Sequence, residues 1–153
     1  MERSDSRGEP QPAGLGELQA VIGCQQAIHR FYAALDASDM DAVSAAMADD
    51  GVWHRQGQAL RGPAAVQAAL AQRPAGRRTA HLVQNLVVDV IDPGHAQAQF
   101  MTLVYRHDAD APLSGAAPLG GPLSISFHRE RLVCTKGGVW KFVEKVSERR
   151  FAA

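Results

Sequence analysis

The chain has 153 residues, of which 46% are hydrophobic and 21% are charged, and these proportions are ordinary for one globular domain. Its 16 basic and 16 acidic residues give a formal net charge of zero, which disfavours nucleic acid as a partner because such binders usually carry a basic excess. The sequence contains neither the roughly 20 consecutive apolar residues of a membrane helix nor the apolar core of a secretory signal. We therefore expect a cytoplasmic protein without a membrane or nucleic-acid partner.

The cysteine and histidine patterns disfavour a metal centre. Cys24 and Cys134 lie far apart in apolar stretches, a spacing that predicts buried free thiols rather than a disulfide framework or a zinc site. The six histidines show no HExxH motif and no pair four residues apart on a predicted helix. Glycine-rich phosphate-binding motifs are also missing from the sequence, so we expect neither a metal nor an organic cofactor.

The first half of the chain predicts a tail, three helices and a short strand. Residues 1–16 are rich in Gly, Pro, Ser and charge and predict a mobile tail before a single domain over residues 17–153. Ser38 is the predicted N-cap of a second helix, a strand follows over residues 52–56, and Pro63 marks the first turn of a third helix. The long first helix is predicted by apolar residues that recur every three or four positions, namely Val21, Cys24, Ile28, Phe31 and Leu35.

The second half predicts four long strands. Short turn signals connect them, apart from a loop of Asp, Ala, Pro and Gly over residues 108–122. Sequential strands joined by tight turns indicate an antiparallel meander, and helices segregated from such a sheet define an α+β domain. The predicted strands cover residues 79–92, 96–107, 123–135 and 139–151.

Polar side chains border the apolar stripe of the first predicted helix. Gln25, His29, Tyr32 and Asp36 fall in one narrow arc at about 100° per residue. A carboxylate beside a core-facing stripe is costly unless it is paired. The alternative is that Asp36 lies at the frayed helix end and points to water.

The strand that begins near residue 79 adds a histidine. Strict alternation places His81 and Asn85 on one face of this strand, within a mostly apolar wall. An aspartate that accepts from one imidazole nitrogen fixes the tautomer and makes the other nitrogen a proton acceptor, and the Tyr32 hydroxyl would polarise a carbonyl. Spacing alone does not bring residues 36 and 81 together, and a surface or satisfied core histidine is the alternative.

Other aromatic and histidine residues are weaker candidates for the site. We expect Trp53 to line the core or a pocket. By contrast, His95, His107 and His128 are predicted to follow turns or to lie at outward-facing strand positions.

Four segments resemble the nuclear transport factor 2-like superfamily, in particular its SnoaL-like members. The resemblance covers about residues 17–151. It implies a cone-shaped, curved antiparallel sheet wrapped around a long N-terminal helix, with two shorter helices and an apolar pocket. The segments are FYAALDASDMDAVSAAMADDGVW (31–53), LRGPAAVQAAL (60–70), HLVQNLVVDV (81–90) and GGVWKFVEKVSERRF (137–151).

Two branches of this superfamily, scytalone dehydratase and bile acid 7α-dehydratase, look most similar. In them an acidic residue late in the first helix pairs with a histidine early in a long strand, and Asp36 and His81 match those positions. Tyr32 lies one helix position from the expected tyrosine, where Phe31 stands instead. A basic residue of the last strand corresponds to Arg149 or Lys145, and the second active-site histidine has no clear counterpart, His107 being the nearest in sequence. The expected catalytic residues are Asp36, His81 and Tyr32, and the expected substrate-binding residues are Trp53, Asn85, Phe31 and His29.

The resemblance implies a cofactor-independent dehydratase or isomerase that acts on a small apolar or cyclic carbonyl compound. Two other functions remain open at this point, because this fold also serves binding and assembly. The pocket would bind a ligand without turnover, or the sheet would act as an oligomer interface with a purely structural Asp–His pair. The uncovered convex face of the sheet predicts a homodimer or homotrimer in each case.

Overall fold

The computed structural model describes residues 13–153, which form three helices and six strands. The elements in chain order are α1 (Leu15–Asp36), α2 (Met40–Ala45), β1 (Met47–Arg55), β2 (Gln58–Arg61), α3 (Gly62–Leu70), β3 (Arg77–Asp92), β4 (His95–Asp108), β5 (Ser124–Cys134) and β6 (Trp140–Ala152).

All six strands belong to one curved, open sheet in the order β2-β1-β6-β5-β4-β3, and α1 packs across its inner face, mainly against β3. The meander predicted for β3 to β6 is confirmed, with antiparallel pairing at every step. The β1–β6 pair is parallel, because the chain crosses from β2 through α3 to the opposite edge and then returns by the meander to β1. The predicted α+β class is confirmed, and one strand pair departs from a purely antiparallel sheet.

The core lies between α1 and the inner face of the sheet. All members of the predicted stripe from Cys24 to Leu35 are buried, and Phe100, Leu132 and Phe142 face them from the strands. Gly23 allows the helix to approach this closely, since a Cβ there would lie 2.5 Å from Cδ1 of Trp140. Both thiols are free, as predicted, but only Cys24 is buried as expected, whereas Cys134 is half-buried.

Several element boundaries differ from the predicted ones. Helix α1 begins at Leu15, inside the predicted tail, and residues 1–12 lie outside the described part of the chain. The N-cap of α2 is Asp39, not Ser38, and its carboxylate accepts from the Ala42 amide at 3.0 Å. Strand β1 begins at Met47 instead of residue 52, and β2 was not predicted at all. Within residues 13–153 no helix combines the length and apolar character of a membrane span.

A bulge in β3 reverses which side chains face inward. The β3–β4 pairing shifts between Gln84 and Val87, and Asn85 adopts a left-handed backbone conformation with φ of 54°. Before the bulge His81 faces the helix, whereas after it Leu86 does so and Asn85 is exposed on the outer face. The prediction that His81 and Asn85 share a face is therefore wrong, because strict alternation does not survive an extra residue in the strand.

Candidate active site

A cavity of about 620 Å³ lies between the C-terminal end of α1, the segment after α3 and the inner face of the sheet. This volume is within the range of small-molecule sites. Its lining residues are Tyr32, Leu35, Trp53, His54, Arg55, Gln56, Arg73, Arg77, Thr79, His81, Thr102, Val104, Arg106, Leu123, Ser124, Ser126, His128, Ser147 and Arg149.

Asp36 and His81 meet at the edge of this cavity. Asp36 is the last residue of α1 and His81 lies early in β3. The carboxylate Oδ2 accepts from the backbone amide of His81 at 2.8 Å, and Oδ1 lies 2.6 Å from the imidazole Nδ1. The structure thus places the two residues together, a contact that the resemblance implied and that spacing could not provide. It also removes the alternative in which Asp36 points only to water.

The surroundings of Asp36 favour its ionised form. Burial by itself would raise its pKa, but hydrogen bonds from the ring and the amide of His81 and from Thr79 lower the pKa below the ordinary value of 3.8. An ionised carboxylate is only an acceptor, so Nδ1 of His81 carries the hydrogen and donates it. Nε2 then holds a lone pair, and among residues 13–153 it has no hydrogen-bond partner.

Two residues extend this network away from His81. The Thr79 hydroxyl donates to Oδ1 of Asp36 at 2.7 Å and accepts from Nη2 of Arg73 at 2.9 Å. Thr79 precedes His81 by two positions on β3, so both side chains lie on the same strand face. Arg73 therefore holds Thr79, and Thr79 orients the Asp36 carboxylate, which in turn orients His81.

Tyr32 and His128 form the floor of the cavity. The Tyr32 ring centroid lies 5.3 Å from that of His81, and its hydroxyl is 3.2 Å from Nδ1 of His128. Nε2 of His128 is 2.9 Å from the Thr102 hydroxyl. Burial lowers the pKa of His128 and is opposed by Glu130. Burial, followed by the charge of Glu130, raises the pKa of Tyr32 well above its ordinary value of 10, which keeps the phenol protonated and able to donate.

His128 was expected to point outward, and this expectation is wrong. On β5 the inward set is the more polar one, and it includes Ser124, Ser126, His128 and Glu130. The outward set contains apolar Ile125 and Phe127 together with arginines. Both faces mix polar and apolar residues, so alternation alone did not identify the inner face.

Below His128 lies a buried ion pair that sequence reasoning missed. Nζ of Lys145 is 2.5 Å from Oε1 of Glu130, and the two residues are 2% and 1% exposed. Nζ also lies 4.0 Å from the ring centroids of both Phe31 and Phe142, a favourable cation–π arrangement. Burial would raise the pKa of Glu130, but the charge of Lys145 keeps it below the ordinary value. Register pairs these two residues directly, and no local motif signals such a pair.

The remaining predicted site residues divide into two groups. Trp53, Tyr32 and His81 line the cavity as expected. Phe31, His29 and Asn85 do not. Phe31 is fully buried behind Tyr32 in the core, whereas His29 is exposed on α1 and Asn85 is exposed on the outer face after the bulge. Of the two basic residues considered for the last strand, Lys145 is committed to Glu130 and Arg149 faces the cavity. His107 lines a separate groove with the loop after β4.

The cavity is not mainly apolar, which corrects a further expectation. Leu35, Trp53, Val104 and Leu123 supply apolar surface, but arginine, histidine, serine and threonine side chains make up most of the lining. The apolar stripes of the sequence fill the core beside the cavity, and the cavity itself is lined by polar residues such as Arg77 near the strand ends. Among residues 13–153 there is no cluster of three or more histidine, cysteine, aspartate or glutamate side chains placed to hold a metal ion.

Solved structures share this fold. Aln2 from a Streptomyces species superimposes with a TM-score of 0.70 at 25% identity, covering 93% of this chain and 94% of that one. ActVI-ORFA from Streptomyces coelicolor gives 0.69 at 16% identity and covers 84% and 96%. A Catenulispora acidiphila protein in complex with S-DNPA gives 0.64 at 23% identity and covers 84% and 91%.

No curated protein matches the chain in sequence. The sequence profile of the SnoaL-like domain matches residues 16–146, which is most of the chain and includes both Asp36 and His81. The family to which the four segments pointed is thereby confirmed: the chain belongs to the SnoaL-like domain family of the nuclear transport factor 2-like superfamily.

Proposed function

We propose that this protein is a cofactor-independent enzyme that removes a proton next to a carbonyl and thereby catalyses a dehydration or an isomerisation. The observation that carries the proposal is the hydrogen bond from Nδ1 of His81 to Asp36, 2.6 Å long, at the wall of the cavity. It leaves Nε2 as the proton acceptor, which is the arrangement a general base needs.

The chemistry follows from these groups. Nε2 of His81 takes the proton from the α-carbon, and the electrons of that C–H bond form an enolate with the carbonyl. In a dehydration, the enolate re-forms the carbonyl and expels a β-hydroxyl group, which leaves as water with the proton that His81 returns. In an isomerisation, His81 returns the proton to another carbon of the conjugated system. Asp36 stabilises the imidazolium that forms between the two proton transfers.

Tyr32 is the residue we assign to the carbonyl oxygen. Its raised pKa keeps the phenol protonated, and its hydroxyl lies on the cavity floor beside His128. A donor aimed at the oxygen stabilises the enolate more than the ketone, which lowers the barrier. Asn85, which was expected to bind substrate, lies on the outer face of the sheet and is not proposed for this role.

The cavity suits a small cyclic substrate. A volume of about 620 Å³ accommodates a molecule of two or three fused rings, and Trp53, Leu35 and Val104 supply apolar surface for them. A structural neighbour was solved with a small molecule bound, which supports ligand binding in this fold.

The test follows the α-proton directly. A set of cyclic ketones and β-hydroxy ketones is incubated in D₂O, and α-deuteration and water elimination are followed by NMR for wild type, His81→Ala and His95→Ala. His95 is the matched control, because it also pairs with an aspartate, at 2.8 Å from Asp92, but is exposed and outside the cavity. We expect turnover by wild type and His95→Ala but not by His81→Ala. Turnover by a folded His81→Ala variant would refute the assignment.

The non-catalytic functions predict other outcomes. If the ketones bind in the cavity but every one is recovered without deuterium, the result would support a binding domain. For assembly, exposed apolar side chains support self-association, among them Val87, Ile91 and Phe151, which are 57%, 63% and 66% exposed. We propose that the chain forms a homodimer or homotrimer through the sheet, and light scattering with chromatography measures its mass. Loss of the oligomer in His81→Ala would favour the assembly function.

A further inference from the structure

Five arginines line the cavity, and among residues 13–153 no aspartate or glutamate lines it. We propose that these arginines bind an anionic group, a carboxylate or a phosphate, carried by the same small molecule whose carbonyl end reaches His81. This inference rests on the proposed function for the position of the reacting carbon, but the anion site stands on its own residues: Arg55, Arg73, Arg77, Arg106 and Arg149.

The described carboxylates around the cavity are too few to neutralise these arginines. Nε of Arg77 and Nε of Arg106 share one carboxylate, Asp108, at 2.6 and 3.2 Å. Asp36 already accepts three hydrogen bonds from Thr79 and His81. The five arginines outnumber Asp36 and Asp108 by three, although the chain as a whole has a formal net charge of zero. Glu144 lies 3.4 Å from Nε2 of His54 at the cavity, but it also pairs with Arg131 outside the cavity.

Arg73 carries the most specific signal. Its Nη2 donates to Thr79, but its Nε is buried and has no hydrogen-bond partner within residues 13–153. A buried donor without a partner is costly, and an anionic oxygen in the cavity would accept from it. A guanidinium also offers paired donors whose fork matches a carboxylate or a phosphate.

The arginines that line the cavity repel one another. Burial, and after it the charge of Arg77, lowers the pKa of both Arg55 and Arg73. Both side chains still carry their charge at neutral pH, because an arginine remains protonated throughout the physiological range. A bound anion would relieve this repulsion between the arginines. Its binding would explain why five arginines line a single cavity.

Strand geometry sets the distance between this anion and His81. Arg77, Thr79 and His81 alternate on the inward face of β3, so Arg77 and His81 are four residues, or about 13 Å, apart at roughly 3.3 Å per residue. Arg106 of β4 pairs with Thr79 of β3, and this pair lies about 7 Å along the strand from His81. One or two fused rings between the anionic group and the reactive carbon span these distances.

The test compares an acid with its ester on one bicyclic skeleton. Calorimetry measures the binding of 2-naphthoate and of methyl 2-naphthoate at low ionic strength to wild type, Arg73→Gln, the double variant Arg55→Gln/Arg149→Gln and the control Arg131→Gln. Arg131 is an exposed arginine of β5 that pairs with Glu144 outside the cavity. We expect the acid to bind about tenfold tighter than the ester to wild type and Arg131→Gln. Both cavity variants should lose this preference, and added salt should reduce it in wild type.

A second measurement does not depend on the naphthalene skeleton. Inorganic phosphate is titrated against ¹⁵N-labelled protein, and the arginine Nε–H signals are followed. We expect phosphate to move the Arg73 signal and to leave that of Arg131 in place. Equal affinity for acid and ester together with an unmoved Arg73 signal would overturn the proposal, and an equal response of Arg131 would show nonspecific ion binding instead.

The same experiment in His81→Ala separates this inference from the proposed reaction. Anion binding needs no base, so this variant should retain the acid preference while it loses proton abstraction. Loss of the preference in the arginine variants without any turnover by wild type would support an anion-binding domain and refute the enzyme. Turnover of neutral ketones by wild type, without any preference for the acid over the ester, would support the enzyme and refute the anion site.

Discussion

The carboxylate of Asp36 holds His81 at two points, with Oδ2 accepting from the backbone amide at 2.8 Å and Oδ1 lying 2.6 Å from the ring nitrogen Nδ1. One contact fixes where the strand lies relative to the end of α1, and the other fixes the rotation and tautomer of the ring. The Asp36–His81 pair thus both anchors the end of α1 to β3 and orients His81 as a general base. The two roles can be separated by experiment, because the ring contact depends on tautomer and the amide contact does not.

The tautomer of His81 should depend on Asp36. In wild type we expect the imidazole ¹⁵N shifts of neutral His81 to show hydrogen on Nδ1, because an ionised carboxylate accepts from it. In Asp36→Asn the side-chain amide accepts less strongly, so this preference should weaken. His95 and Asp92→Asn form the matched control, since that pair is exposed and outside the cavity. Unchanged His81 shifts in Asp36→Asn would argue against the dyad.

Asp36 should also make stability depend on pH in the acidic range. Its pKa in the folded protein is lower than the ordinary value of 3.8, so its ionised form is favoured by folding. This contribution is fully present above 3.8 and is lost as the pH falls through the lower folded-state pKa. Urea unfolding of Asp36→Asn should therefore show a smaller loss of stability across that window than wild type. Asp50→Asn, a change of an exposed carboxylate on β1, is the control, and identical profiles for Asp36→Asn and wild type would contradict the assignment.

Removal of the Tyr32 hydroxyl should affect turnover more than stability. Tyr32→Phe loses one hydrogen bond with His128, which costs about 1 kcal/mol in free energy of unfolding. If the hydroxyl stabilises the enolate oxygen, kcat should fall about a hundredfold with little change in KM. Tyr105→Phe is a suitable control, because Tyr105 lines the separate groove that His107 forms with the loop after β4. A change confined to KM would indicate that Tyr32 binds substrate without stabilising the transition state.

The buried Glu130–Lys145 pair should contribute far more to the free energy of unfolding than the exposed Arg131–Glu144 pair of the same two strands. Lys145→Met leaves a buried carboxylate without its partner and should cost about 3–5 kcal/mol in urea unfolding. The matched control is Arg131→Met, which breaks an exposed pair with Glu144 and should cost about 1 kcal/mol or less. The double variant Glu130→Leu/Lys145→Met should recover part of the loss, because no unpaired charge then remains. Similar losses for Lys145→Met and Arg131→Met would contradict the burial argument.

Periodicity identified most of the fold, because the apolar stripe of α1 and the meander from β3 to β6 are strong local patterns. The class, the long helix and the four long strands were predicted on that basis. Strand β2 was missed because its four residues are mostly exposed and it pairs only with β1 along one edge. Parallel pairing of β1 with β6 joins segments almost a hundred residues apart, and local patterns do not report on such contacts.

The site was predicted less completely than the fold. Periodicity singled out Asp36 and His81, but their pairing was identified by resemblance, since residues 45 positions apart meet only through the packing of α1 on β3. The buried network of His128, Glu130 and Lys145 was missed because charged residues on a strand are usually solvated. Their burial depends on cross-strand register, which pairs Glu130 with Lys145. Apart from Arg149, the arginine lining was missed, because it draws on residues from β1, β3, β4 and the segment after α3, which no local pattern brings together.

Asn85 shows how one residue changes the assignment of a whole strand, and its role should be conformational. Its φ of 54° lies in the left-handed region, where asparagine and glycine are tolerated and a β-branched residue is strained by about 1–2 kcal/mol. Asn85→Gly should therefore leave the free energy of unfolding almost unchanged, whereas Asn85→Val should lower it by about that amount. Gln84→Val, at an exposed position just before the bulge, should be nearly neutral, and none of the three should change turnover at the cavity. A specific loss of kcat in Asn85→Gly without loss of stability would restore Asn85 as a functional residue, and equal stability of Asn85→Val and Gln84→Val would show that the bulge imposes no backbone requirement.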